Sequence, residues 1–166
     1  MRTIRPTGRV TIVARDQDRA GALASRVQAS GLDARVGTAE DMHDAPLIVC
    51  ATTARTPVFD GRLVPDNACV VAIGSHAADS RELDSTLVGR AQLVVEDTVV
   101  ALRETGDLII AIGQAVIAPA SLVPMRDIIT GQTPVDHHRR EFSTAQGCPG
   151  RTWSSPRRCT ARADRR

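Results

Sequence analysis

The chain has 166 residues, enough for one domain or a large part of one, and 42% are hydrophobic, sufficient for a core. Only 2% are aromatic, so that core must be aliphatic; all 21 basic residues are Arg. No segment approaches the roughly 20 apolar residues of a membrane span. No apolar run follows the opening MRTIRP as a signal peptide requires, so a cytoplasmic chain without a membrane partner is expected.

Residues 10–14 (VTIVA) form a β-branched run of strand length. Arg15-Asp16-Gln17-Asp18 then offers caps. Ala20, Leu23, Ala24 and Val27 recur at i, i+3, i+4 and i+7, the stripe of an amphipathic helix, and Gly31 suits its C′ position. Residues 32–36 read as a second short strand, and Thr38 as the N-cap of a helical turn. Residues 47–51 (LIVCA) are continuously apolar, as in a strand buried on both faces. A loop over 52–57 follows, then a buried strand over 69–73 that ends in Gly74-Ser75-His76. Glu82 and Asp84 precede Leu87 and Val88, and are read as acids opening a short helix rather than as an acid–base pair. Residues 93–95 form another buried strand, and 97–104 a helix broken by Gly106. Residues 108–117 fit helix or strand equally, and 122–129 read as a short helix closed by Gly131.

Short apolar strands alternating with helices predict an α/β fold with a parallel sheet. Ligands of such sheets bind beyond the carboxyl ends of the strands. That rule selects Arg15 and Asp16, Thr52 and Thr53, Gly74 to His76, and Glu96 and Asp97. A doubly wound dinucleotide domain opens with strand, glycine-rich turn and helix. No GxGxxG occurs here. Residues 1–6 are therefore read as the tail of that helix, and 10–14 as the second strand of an incomplete doubly wound (Rossmann-type) sheet. After that strand an acid suits the ribose hydroxyl of NAD and an Arg the phosphate of NADP. Arg15-Asp16 supplies both, so NAD or NADP is the expected cofactor and the choice stays open. Asp16 is equally a helix cap.

Four Cys form no CxxC pair, and Cys50 and Cys69 lie in apolar strands as small hydrophobes. His137-His138 resembles a metal doublet, but neighbours on a strand face opposite ways, and no metal site is expected.

One ordered set of motifs resembles the ornithine cyclodeaminase/mu-crystallin family. It comprises Ala51-Thr52-Thr53-Ala54, Pro57-Val58, the strand ending in Gly74, Arg81-Glu82-Leu83-Asp84, and Val94-Val95-Glu96-Asp97. The resemblance implies a partial NAD(P)-binding Rossmann-like domain over residues 1–138. It implies cofactor contacts from Thr52 and Thr53, and from Gly74 and Ser75 beside the nicotinamide. Ornithine-cyclising members carry an Asp near the position of His76; a His can also serve as acid or base there. The implied chemistry is conversion of ornithine to proline plus ammonia, or the related reduction of a cyclic imino acid. The implied partners are a dinucleotide, an amino-acid or cyclic imino-acid substrate and, for the intact enzyme, a second copy in a homodimer. The domain with the substrate clamp is expected to be missing, leaving a fragment inactive by itself. The alternative is a non-catalytic remnant, or an accessory nucleotide-binding subunit completed by a separately encoded N-terminal half.

After residue 138 the texture changes. Eight Arg stand against two acids from Arg139 onward, whereas thirteen Arg face seventeen acids before it. A nucleic-acid arm is disfavoured, because no aromatic or Gly/Arg interleaving supports stacking on bases. Residues 139–166 are instead expected to be a basic, disordered or frameshifted tail. For one choice of wobble bases, a displaced frame through 147–155 reads Met-Pro-Trp-Glu-Asp-Leu-Val-Val, which resembles the family's closing segment. The reading frame is expected to be lost near 140–147; the coding DNA decides it.

Overall fold

A computed structural model describes residues 8–135 and 140–144. The β-branched run after Gly8 forms β1 (Arg9–Ile12), which pairs in parallel with β2 (Asp33–Val36) as a two-stranded sheet. Between them runs α1 (Gln17–Ala29). Asp16 caps α1, its carboxylate accepting the Arg19 N–H at 3.0 Å. Gly31 follows at a φ of 81°, the left-handed conformation that glycine adopts without steric cost. Of the predicted stripe on α1, Ala20 and Ala24 are buried while Leu23 remains exposed.

The second sheet has five strands: β3 (Leu47–Cys50), β4 (Cys69–Ala72), β5 (Ala91–Val95), β6 (Leu122–Pro124) and β7 (Arg140–Thr144). Their order is β3-β4-β7-β5-β6, and every pairing is parallel. Crossover helices α2 (Ser85–Arg90), α3 (Thr98–Glu104) and α4 (Gly106–Gly113) connect the middle strands. α2 packs on α4, and α4 on α3. The core between helices and sheet is aliphatic as expected: Val70, Leu83, Leu87, Val88, Leu93, Val95 and Leu108 are fully buried, and Phe59 joins them.

Three expectations are corrected. β3 is buried on one face only: Ile48 and Cys50 point into the core, while Val49, on the opposite face of the pleat, is 50% exposed. Residues 122–129 are not one helix. Residues 122–124 pair with β5 as β6, and only Met125–Ile129 forms α5. Pro124 is tolerated there because β6 lies at an edge, where one N–H needs no ladder partner. Finally, residues 140–144 are not tail but strand β7, in register with both β4 (Val70 opposite Phe142) and β5 (Leu93 opposite Phe142). The segment REFST carries one large apolar residue and two charges, so it has no apolar run to betray it. Its structure comes from two neighbours that each offer a free edge. The remaining predicted tail, and the His137-His138 pair, lie outside the described residues.

Gly106 does mark a break, but as the first residue of α4 rather than a terminator. A Cβ at this position would stand 1.9 Å from the Ser80 carbonyl oxygen, so the loop lies directly against the glycine.

Candidate functional site

Beyond the carboxyl ends of β3 and β4 the chain enters two polar loops, and a buried carboxylate ties them together. Glu82 is 0% exposed. Its Oε1 accepts the Thr52 N–H at 2.6 Å, and its Oε2 accepts the Gly74 N–H at 2.7 Å. The Val58 N–H donates to the Glu82 carbonyl at 2.9 Å, fixing the far end of the first loop. Gly74 is required by this closeness, since a Cβ would lie 2.0 Å from the Thr52 carbonyl oxygen and 2.6 Å from the Glu82 carboxylate.

A second buried acid supports the first. Asp107, in the opening turn of α4, accepts the backbone N–H groups of Glu82 and Leu83 on Oδ1, each at 2.8 Å. Its Oδ2 is buried with no hydrogen-bond partner. Burial pushes the Asp107 carboxyl up to about 6, against the two amides that favour its ionised form. The nearby Glu82 charge pushes the same way as burial. Cys50, at the end of β3, is pushed up to about 12 by burial and by these two acids, so its thiol stays protonated and packs as a small hydrophobe.

The structure brings together Thr52, Gly74 and Ser75 among the sequence-selected residues. Ser75 is buried, and its hydroxyl donates to the Ser80 carbonyl at 2.8 Å. Thr52 and Thr53 are exposed, and the Thr52 Oγ1 accepts the Ala54 N–H at 3.1 Å. His76 is exposed directly after Ser75. Arg15 and Asp16 stand apart, beyond β1 in the two-stranded sheet. Both Asp16 oxygens are engaged by Arg19, one by its N–H and the other by its guanidinium at 3.1 Å. Asp97 caps α3 by accepting the Val100 N–H at 2.9 Å. Among the described residues no group of three or more His, Cys, Asp or Glu is placed to hold a metal ion.

Sequence reasoning treated Glu82 and Asp84 alike, and the structure separates them. Asp84 does cap α2, accepting the Leu87 N–H at 2.8 Å, and also takes the Gly61 N–H at 2.8 Å. Glu82 does not serve the helix; it joins the two loops. Asp107 was not selected at all. Its signal was a single acid inside the apolar run GDLIIAIG, a position where an ionisable group must have a partner.

A parallel sheet with crossover helices and polar loops at its carboxyl edge is a Rossmann-type nucleotide-binding architecture. A profile of the ornithine cyclodeaminase/mu-crystallin family matches residues 1–143, and the chain belongs to that family. It is 38% identical over 114 residues to a Delta(1)-pyrroline-2-carboxylate/Delta(1)-piperideine-2-carboxylate reductase of Azospirillum brasilense, a match covering 64% of this chain and 34% of the relative. Mouse ketimine reductase mu-crystallin is 34% identical over 99 residues, covering 58% of this chain and 31% of that protein. The fold superposes with a TM-score of 0.83 on Thermococcus litoralis Delta(1)-pyrroline-2-carboxylate reductase, solved with NADH and L-proline, at 23% identity. That match covers 87% of this chain and 47% of the other, so the chain spans less than half the length of these relatives. No helix of the described residues is long and apolar enough to cross a membrane.

Proposed function

We propose that this chain is the nicotinamide-binding portion of an NAD(P)-dependent enzyme that reduces a cyclic imino acid. The observation carrying the proposal is the pair of loops beyond β3 and β4, held at one edge with Thr52, Thr53 and His76 exposed. Relatives of this chain are reductases of cyclic imino acids, and a structural neighbour was solved with NADH. The residues present suit the nicotinamide half of such a cofactor: two exposed threonines on one loop and an exposed histidine on the other. The sequence holds no GxGxxG, the turn that seats a pyrophosphate on a helix N-terminus in such domains.

When bound, the dinucleotide supplies the hydride and the protein orients it. Thr52 and Thr53 would contact the cofactor from the first loop, and Gly74 and Ser75 from the second. Arg15 and Asp16 would face the ribose that distinguishes NAD from NADP. His76 would exchange a proton with the imino or amino nitrogen. Where ornithine-cyclising members use an Asp, this His favours imino-acid reduction over cyclisation of ornithine.

The test is titration of the full chain with NADH and, separately, NADPH by calorimetry. Weak binding of at least one, without turnover of Delta(1)-pyrroline-2-carboxylate, is the expected result. Absence of binding to both overturns the proposal, and measurable turnover overturns its incompleteness.

A second reading rests on a separate observation. Among the described residues β1 pairs only with β2, and β3 only with β4, so each presents an unpaired edge. An accessory subunit completed by a separately encoded half would insert its strand there. A neighbouring reading frame ending in a glycine-rich turn would support this, and unrelated flanking DNA would remove it.

A further inference from the structure

We infer that Glu82 is a positioning residue for the dinucleotide, setting the spacing of the two cofactor-facing loops, and that Asp107 holds Glu82 in place from α4. The inference rests on the dinucleotide reading above.

The geometry is a chain of two carboxylates. Asp107 is 2% exposed and accepts, through one oxygen, the N–H groups on either side of the Glu82 Cα. That grip fixes where the Glu82 side chain begins. Glu82 then divides its two oxygens between the Thr52 and Gly74 amides, one from each loop. These amides extend past the β3–β4 ladder, whose last backbone bond is the Ile73 N–H to the Cys50 carbonyl at 2.9 Å. Beyond this bond no strand pairing among the described residues holds the loops in register, and the Glu82 carboxylate takes over that role.

The geometry calls for two acceptor oxygens at position 82. Both incoming groups are N–H donors, so both oxygens must accept. A carboxamide presents one acceptor and one donor, so it can satisfy only one loop and turns an N–H toward the other. Asp107 accepts the Glu82 backbone amide from α4, which makes the spacing of the loops depend on the seating of that helix. Both acids are buried and meet the loops through backbone amides, whereas Thr52, Thr53 and His76 are exposed. The action of the acids on a cofactor is therefore indirect.

The test compares the full chain with Glu82→Gln by amide NMR without ligand, and by NADH titration. In the unsubstituted chain the Thr52 and Gly74 amide protons should appear downfield and exchange slowly. In Glu82→Gln at least one should move upfield, and NADH affinity should fall about tenfold or more, as expected for losing a hydrogen bond to a charged acceptor. The far-ultraviolet circular dichroism should be retained. Ordinary shifts and fast exchange of both amides in the unsubstituted chain would overturn the clamp, even if the variant does not fold. Equal NADH affinity in the two chains would overturn its positioning role. A clamp seen by NMR in a chain that binds neither NADH nor NADPH would overturn the dinucleotide reading, and this inference with it.

Discussion

At the scale of single residues, the site depends on close approach more than on the polar groups it displays. Gly74 has no room for a methyl, because the Thr52 carbonyl oxygen occupies that space. Gly74→Ala should therefore part the two loops and cost about 1–3 kcal/mol, the usual range for overpacking. Urea unfolding would measure this, and an unchanged midpoint would contradict it. Asp107 gives a pH dependence with a defined sign. Its folded value of about 6 lies above the ordinary 3.8, so the folded chain holds the proton more tightly than the unfolded chain. The resulting stabilisation is complete below about pH 4 and is lost as pH rises through 6. About two units correspond to roughly 3 kcal/mol at most. Asp107→Asn keeps an acceptor for the two amides and cannot ionise, so its stability curve between pH 4 and 7 should be flatter. Parallel curves for the two chains would rule out Asp107 as the titrating group.

At the scale of elements, caps explain why such short helices form. α2 has only six residues, too few to persist without help, and Asp84 serves both its first turn and the Gly61–Leu63 3-10 turn beside it. Asp84→Ala should cost about 1–3 kcal/mol, since it removes a cap and also strips the Gly61 amide of its acceptor. Asp84→Asn should recover most of that loss. Matched chemical denaturation of both variants would separate these outcomes. Elements of this kind were legible in the sequence. The runs over 47–51 and 69–73, the stripe from Ala20 to Val27, and the acid before Leu87 each carry a local pattern that short-range physics explains. Features decided by distant neighbours were not legible. Val49 is exposed because its face of β3 is left uncovered, which the apolar run alone does not show. Residues 122–124 became a strand because β5 had a free side. Glu82 and Asp107 reveal their roles only once α4 lies against the loop. The exposed half of the candidate site was recoverable from the strand-end rule. The buried half that supports it was not.

At the scale of the whole molecule, one strand decides whether the large sheet is continuous. β4 and β5 do not pair with each other; β7 lies between them. Neighbouring strands sit about 4.8 Å apart, so removing β7 would leave a gap near 10 Å that no backbone bond can bridge. A chain lacking residues 140–144 should lose its cooperative thermal transition and expose two unpaired edges prone to association. A sharp transition retained in that chain would show that the helices alone hold β3-β4 and β5-β6 together.

That same strand sets an order of events in synthesis. Val70 is paired with Phe142, a residue made long after it, and Leu93 waits for the same partner. The emerging chain can build β3-β4 and β5-β6 as separate parallel pairs, but it cannot join them until residues 140–144 have left the ribosome. Contacts so distant in sequence make folding slow and leave open strand edges exposed meanwhile. Any change of reading frame upstream of Thr144 would thus act before chemistry is at issue, by leaving the nascent sheet in two pieces.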